Sequence, residues 1–274
     1  MKIIVINNQD GGAGKTVTAT TLAKYLSFFG PTLLADSDTS GNATQIFTCN
    51  FQTGETLEIP AEAELATAFR GGKVEPLAIG DNLDLLASSR ELNAVNTELI
   101  IHNKSPRLFR NWMKRAKLKD VYDYVVIDTH NDESIITKSM LLAADMVLGV
   151  VIPDSFSNNG YKNLQKLVAA LQDDLDLVDD NDEPLMTDNL YFIINRVAFN
   201  KNSSRELVAF VNDVSNPQYL GYFQDREIFN HAILENKTVI ELADRKKYDD
   251  ESFAKFFENT KKTLDNIVNK LNEV

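Results

Sequence analysis

The first 29 residues constrain the chain most. Lys2-Ile3-Ile4-Val5-Ile6-Asn7 is a compact, β-branched run, and Gln9-Asp10-Gly11-Gly12-Ala13-Gly14-Lys15-Thr16 follows it at once. A helical pattern then covers Thr16 to Phe29, with Val17, Leu22, Ala23 and Leu26 on one face and Gly30-Pro31 as its stop. A buried strand emptying through glycines into a helix leaves the backbone few options. The glycines let successive N–H groups curl inward as an anion nest, and the helix adds its positive N-terminal end. Gly11, Gly12, Ala13, Gly14, Lys15, Thr16 and Val17 are therefore the candidate phosphate cradle, with Lys15 reaching the β- and γ-phosphates and Thr16 suited to Mg²⁺. The standard spacing G-x-x-x-x-G-K-[ST] is not met, because Gln9 stands where its first glycine would be. The alternative, a glycine-rich turn with a chance Lys-Thr, needs strand, loop and helix to have fallen in motif order by coincidence.

Thr32 to Ala35, Tyr124 to Ile127, Met146 to Ile152 and Leu190 to Ile194 are further apolar runs of strand length, and Leu83 to Leu86 is a weaker one. Runs that are apolar throughout suit strands covered on both faces. Between them, Ser134 to Ala144, Gly160 to Leu171 and Ser203 to Val214 have helical periodicity. The expectation is one doubly wound α/β domain over residues 1–274, a mostly parallel sheet flanked by helices, closed by a C-terminal helix over about 249–274. An apolar fraction of 43% and a charged fraction of 25% are ordinary for a globular chain and exclude a disordered or collagen-like one. Cys49 is the single cysteine, so no internal disulfide and no all-cysteine metal site can form, and a reducing compartment is the natural setting. No stretch has the roughly 18 uninterrupted apolar residues of a membrane helix, and the expected location is the cytoplasm.

The loop Asp10 to Thr16 resembles the deviant Walker A loop of the ParA/MinD family of ATPases, which reads K-G-G-x-G-K-[ST]. The resemblance continues in order. Leu33-Leu34-Ala35-Asp36-Ser37-Asp38-Thr39-Ser40-Gly41-Asn42-Ala43-Thr44 is similar to the family's L-L-I-D-x-D-P-Q-G-N-A-T, and Tyr122 to Thr129 is similar to its Walker B strand. Ile193-Ile194-Asn195-Arg196 resembles the strand end whose Asn contacts adenine, and Glu235 to Val239 sits where a late G-K-x-V segment occurs. The G-N-A-T stretch favours the ParA branch. The resemblance implies a P-loop fold, Mg–ATP as ligand, a homodimer formed on ATP binding, a centromere-binding adaptor as partner and a role in plasmid or chromosome partition.

It also implies roles. Asp38 would orient the attacking water, as phosphoryl transfer needs chiefly positioning and charge stabilisation, beside Lys15 as the second catalytic residue. Asp128 would hold Mg²⁺ with Thr16; Asp36 would support either the metal or its own loop. Asn195 would meet adenine, although an Asn after a strand is also a common turn residue. His130-Asn131-Asp132 stands where the family has prolines after its Walker B strand, and His130 reads best as a polar surface residue. The departure that matters is Asp10, which occupies the position of the family's characteristic Lys. Either it turns outward to a cation and alters dimerisation, or the chain binds nucleotide and hydrolyses it poorly.

Residues 104–119 hold seven bases and no acid in a chain of net charge −12. On a helix, Arg107, Arg110, Lys114 and Lys117 form one stripe, opposite Leu108, Phe109, Trp112, Met113 and Ala116. The stripe is either a solvated outer face or a non-specific contact for DNA phosphates. The run Asp173 to Glu183 holds seven acids without calcium-loop spacing and reads as a solvated loop. The tail, with seven bases and six acids over 245–274, lacks the cationic face of a membrane anchor, so packing on the sheet is expected and no membrane contact. Beside the partition ATPase stand two other readings, a nucleotide-binding scaffold with weak or no hydrolysis and an ATP-dependent ligase of the same fold.

Overall fold

Among the described residues eight strands form one sheet, in the spatial order Leu77–Gly80, Leu83–Leu86, Thr32–Asp36, Tyr124–Asp128, Lys2–Asn7, Met146–Val151, Leu190–Val197 and Tyr219–Gln224, parallel except between the first two. In the computed structural model, which describes every residue except 52, 154–159, 180, 214, 244, 246–247 and 249, the strands are β1 (Lys2–Asn7), β2 (Thr32–Asp36), β3 (Leu77–Gly80), β4 (Leu83–Leu86), β5 (Tyr124–Asp128), β6 (Met146–Val151), β7 (Leu190–Val197) and β8 (Tyr219–Gln224). The helices are α1 (Lys15–Leu26), α2 (Asn42–Thr48), α3 (Leu65–Phe69), α4 (Glu91–Ile101), α5 (Leu108–Arg115), α6 (Ile135–Leu141), α7 (Gly160–Gln172), α8 (Asn202–Asp213), α9 (Ile228–Leu234) and α10 (Glu251–Glu273). Asp180, Val214 and Asp249, which the sequence reading includes in its segments, lie outside the described residues.

The two-period of a strand explains why the central runs are apolar throughout. Ile3 and Val5 point to one face of the sheet and Ile4 and Ile6 to the other, and all four are buried. The first face, with Leu33, Val125 and Ile127, packs under α3 to α7 through Phe69, Leu92, Phe109, Ile136 and Leu164. The second, with Leu34, Val126 and Leu148, packs under α1, α9 and α10 through Leu22, Phe229 and Leu264.

α10 begins where Asp250 accepts the N–H of Phe253 at 2.8 Å, a side-chain N-cap. Its stripe of Phe256, Phe257, Thr260, Leu264, Ile267 and Leu271 is buried. The helix also dresses the last strand, since Asn266 donates to the carbonyl of Leu220 and Asn259 to that of Tyr222, both at 2.9 Å. Those bonds satisfy carbonyls that an edge strand otherwise leaves to solvent.

Candidate functional site

Ligands of open parallel sheets collect at the carboxyl ends of the strands, where connections leave in opposite directions. Here that place is the end of β1, β2 and β5. Asp128 lies opposite Asp36 on one side and Ile6 on the other in the strand register. Ser37 locks the ends of β2 and β5 together, its N–H and hydroxyl donating to the Asp128 carbonyl at 2.9 and 2.7 Å. Thr129 does the same for β5 and β1, donating to the Ile6 carbonyl at 2.7 Å. The acidic strand ends are thus held in place by backbone bonds rather than by one another.

Out of β1 the chain turns through Gln9 to Gly14 into α1. Gly14 sits at φ +89°, a left-handed conformation that a side chain disfavours. Space forbids one as well: a Cβ at Gly14 would come within 2.2 Å of the Asn195 amide nitrogen. That nitrogen donates to the Ala13 carbonyl at 2.8 Å, so the end of β7 braces the loop from behind. Asn195 thus stands beside the loop, with its amide nitrogen engaged by Ala13. Its amide serves the loop, because the loop's tight curl turns the Ala13 carbonyl toward β7. Val17 likewise turns its side chain to the α1 core, leaving only its backbone N–H, one of the unpaired donors of a helix start, for a phosphate.

Lys15 is buried, with Nζ 3.3 Å from the Asn8 carbonyl. Burial lowers its pKa, against the charges of Asp128, Asp38, Asp10 and Asp132 that favour the ammonium. Asp128 is fully buried and neither carboxylate oxygen accepts a well-formed hydrogen bond among the described residues, although Thr16 faces it. Desolvation, reinforced by the charge of Asp36, raises the Asp128 pKa well above the carboxylate range. A buried acid with both oxygens idle is costly unless a cation completes it. The donor set fits Mg²⁺, a hard ion bound by a carboxylate and a hydroxyl with water.

Asp36 is different. Its Oδ2 accepts the N–H and hydroxyl of Thr44, each at 2.8 Å, and its Oδ1 accepts the Asp38 N–H at 3.1 Å. Of the two roles open to Asp36, support of its own loop is the one the geometry fills. Desolvation pushes its pKa up to about 6 despite those bonds. Asp38 follows, buried, with Oδ1 accepting the N–H and hydroxyl of Ser40 and its carbonyl held by the Ser88 hydroxyl at 2.6 Å.

Asp10 forms no salt bridge among the described residues, although its charge acts on Lys15. Its carboxylate lies against Gly160, the first residue of α7, where an added Cβ would come within 2.2 Å of Asp10 Oδ2 and 2.6 Å of Asn8 Oδ1. Asp10 Oδ2 has no hydrogen-bond partner among the described residues. Sequence reasoning missed two neighbours of the loop. A Cβ at Gly11 would lie 3.7 Å from the Asn131 amide nitrogen, and Asp132 ties the start of α6 by accepting from Ser134 and Thr137. The replacement of the family's prolines by His130-Asn131-Asp132 was the available signal. His130 Nδ1 stands 3.4 Å from Asp132 Oδ2.

The basic stripe is not the solvent face that its spacing implied. The helix spans only Leu108–Arg115, with Arg107 at its N-cap and Lys117 beyond it at φ +54°. Pro106 limits the start, and the left-handed Lys117 ends the run. Arg107 donates to the Asp176 carbonyl, and Arg110 donates to the carbonyls of Leu142 and Leu185 at 3.3 and 3.4 Å. Lys114 and Lys117 alone of the four are exposed, and Ala116, expected on the apolar face, is exposed too.

Residues 1–178 match the AAA_31 family model, described as an AAA domain. The sporulation initiation inhibitor protein Soj of Bacillus subtilis is 30% identical over 178 residues, covering 62% of this chain and 66% of that protein. The chromosome-partitioning ATPase Soj of Thermus thermophilus is 31% identical over 172 residues, 62% of this chain and 61% of its own length. The chain thus matches less than two thirds of the length of these relatives. Among solved structures, a McdA variant from Cyanothece in complex with ATP superposes with a TM-score of 0.75 at 22% identity, covering 97% of this chain and 96% of that one. With its loop, paired acidic strand ends and sheet order, the chain belongs to this AAA domain family and has the P-loop fold of the ParA/MinD kind.

Proposed function

We propose that residues 1–274 work as one ATPase domain that binds Mg–ATP between the glycine loop and the ends of β2 and β5, hydrolyses it, and serves DNA partition. The observation that carries this reading is the buried Asp128 carboxylate, idle beside Thr16 and Lys15. The N–H groups from Gly12 to Val17 cradle the phosphate tail, and Lys15 leaves the Asn8 carbonyl for the β- and γ-phosphate oxygens. Thr16 and Asp128 hold Mg²⁺, whose charge offsets that of the β- and γ-oxygens when it is bound. Asp38, fixed by Ser40, holds a water in line with the γ-phosphorus. The chemistry is positioning, so the burial that fixes Asp38 matters more than its basicity.

ATP binding joins two copies face to face; a centromere-bound adaptor stimulates turnover, and Lys114 and Lys117 contribute to DNA retention in the cytoplasm. Sedimentation with ATP, ADP or no nucleotide, each with and without DNA, tests this. Dimers formed only with ATP and co-sedimenting with DNA are expected, and a mass indifferent to nucleotide contradicts it. A second reading, a positioning scaffold with weak hydrolysis, has one observation in its favour. Asp10 adds a carboxylate beside Lys15 where the family's lysine would add a cation. Turnover of the native chain against Asp10→Lys separates the two readings.

A further inference from the structure

Asn8 and Asp10 turn side-chain oxygens toward one spot beside the phosphate loop. Asn8 is 1% exposed. Its Nδ2 donates to the Val150 carbonyl at 2.7 Å, which fixes the amide and leaves Oδ1 facing the first residue of α7. A Cβ added to Gly160 would meet Asp10 Oδ2 at 2.2 Å and Asn8 Oδ1 at 2.6 Å, so the two oxygens gather around a single point. Both are buried, and neither has a hydrogen-bond partner among the described residues. Two acceptors that converge without a donor repel one another after giving up their water. The start of α7 lends them a partial positive charge, less than the full charge of a carboxylate.

The cation that serves this corner is Lys15, whose Nζ is 3.3 Å from the Asn8 carbonyl and feels the charge of Asp10. A triphosphate on the loop draws that ammonium away. The Asn8 carbonyl then joins Asn8 Oδ1 and Asp10 Oδ2 as a third oxygen without a positive partner. One carboxylate and two neutral oxygens balance a single charge, and oxygens of this kind can replace the water around a monovalent ion. A second Mg²⁺ is a poorer match, since no group of three His, Cys, Asp or Glu side chains suited to a metal gathers among the described residues.

We propose that the Asn8 carbonyl, Asn8 Oδ1 and Asp10 Oδ2 bind a monovalent alkali cation, K⁺ or Na⁺, when nucleotide occupies the loop. The ion enters from the side that Lys15 vacates. It neutralises Asp10, whose charge otherwise opposes the triphosphate at close range. Ion and nucleotide therefore tighten each other's binding by the same factor. This rests on the nucleotide reading above and adds a second cation to it.

Calorimetric titration with Mg–ATP in KCl, NaCl or choline chloride, all at one ionic strength, tests the site. Uptake about tenfold tighter in an alkali salt than in choline is expected, and the salt that acts identifies the ion. Asp10→Asn keeps the shape of the side chain without its charge, and should bring the three salts together. Glu258→Gln removes an exposed carboxylate from α10 and should leave the difference in place. Equal uptake by the wild type in all three salts overturns the ion site while nucleotide binding stands, and so does a salt preference that Asp10→Asn retains. Absence of uptake in every salt overturns the nucleotide reading, and the inference with it. The salt comparison is made on the unmodified chain, so it decides the matter even if a variant misfolds.

Discussion

Asp128 has no hydrogen-bond partner for either oxygen among the described residues, and it lies at the bottom of the site. A group kept there at a cost to folding is expected to improve stability when neutralised and to damage function. Asp128→Asn should raise the stability of the nucleotide-free protein by roughly 1–2 kcal/mol and remove the Mg²⁺ dependence of ATP uptake; a melting curve and a metal titration read the two effects. Lys24 gives a second residue-scale prediction. Desolvation by burial lowers its pKa to about 8, despite the charge of Glu241, with Nζ 3.4 Å from the Lys237 carbonyl and over the Phe47 ring. A lysine whose folded pKa is depressed disfavours folding while protonated, so its penalty is relieved as pH rises from about 8 toward 10.5. Across that window wild type should gain on Lys24→Met by about 3 kcal/mol at most, measured by denaturant unfolding at each pH. Motif position did not reveal the direction of a side chain. Asn195 stands where the family places it, and the bond of its amide to Ala13 comes from a loop curl that only the fold displays.

Among elements, the legible ones are those buried on both faces. β1, β2, β5, β6 and β7 carry unbroken apolar runs, and the stripe of α10 repeats at helical spacing. The elements that went unread are those whose signal is mixed. α4 buries Leu92, Val95 and Leu99, but Ile100 and Ile101 are 60% and 72% exposed and blur its face. β8 is interrupted by Gly221 and a register shift, and its edge carbonyls are satisfied by α10 from more than 35 residues away. β3 is four residues long and alternates between half-buried and exposed positions. Two predictions belong here. Leu264→Ala, in the buried stripe of α10, should cost about 2–5 kcal/mol by chemical denaturation. Gly160→Ala should weaken ATP uptake, because its methyl group would displace Asp10 and Asn8 next to the loop, and Asp10→Gly in the same chain should restore part of the loss.

At the scale of the molecule, the order of motifs along the chain was enough to place the phosphate loop, the two acidic strand ends and the sheet that joins them. What it could not supply was contact between distant segments: Asp10 against the start of α7, and Arg107 and Arg110 against the carbonyls of Asp176 and Leu185. Both join residues more than 65 positions apart, and neither leaves a periodic trace in the sequence. No helix among the described residues is long and apolar enough to cross a membrane, and the tail helix is spent on the sheet. All of the functional reading depends on a nucleotide's phosphates resting on the curl between Gly11 and Thr16. Calorimetric titration of the purified chain with ATP in Mg²⁺ measures this directly. Saturable uptake of one nucleotide per chain, weakened about a hundredfold by Lys15→Ala, is the expected result. Absence of uptake, or uptake that Lys15→Ala leaves unchanged, would contradict it.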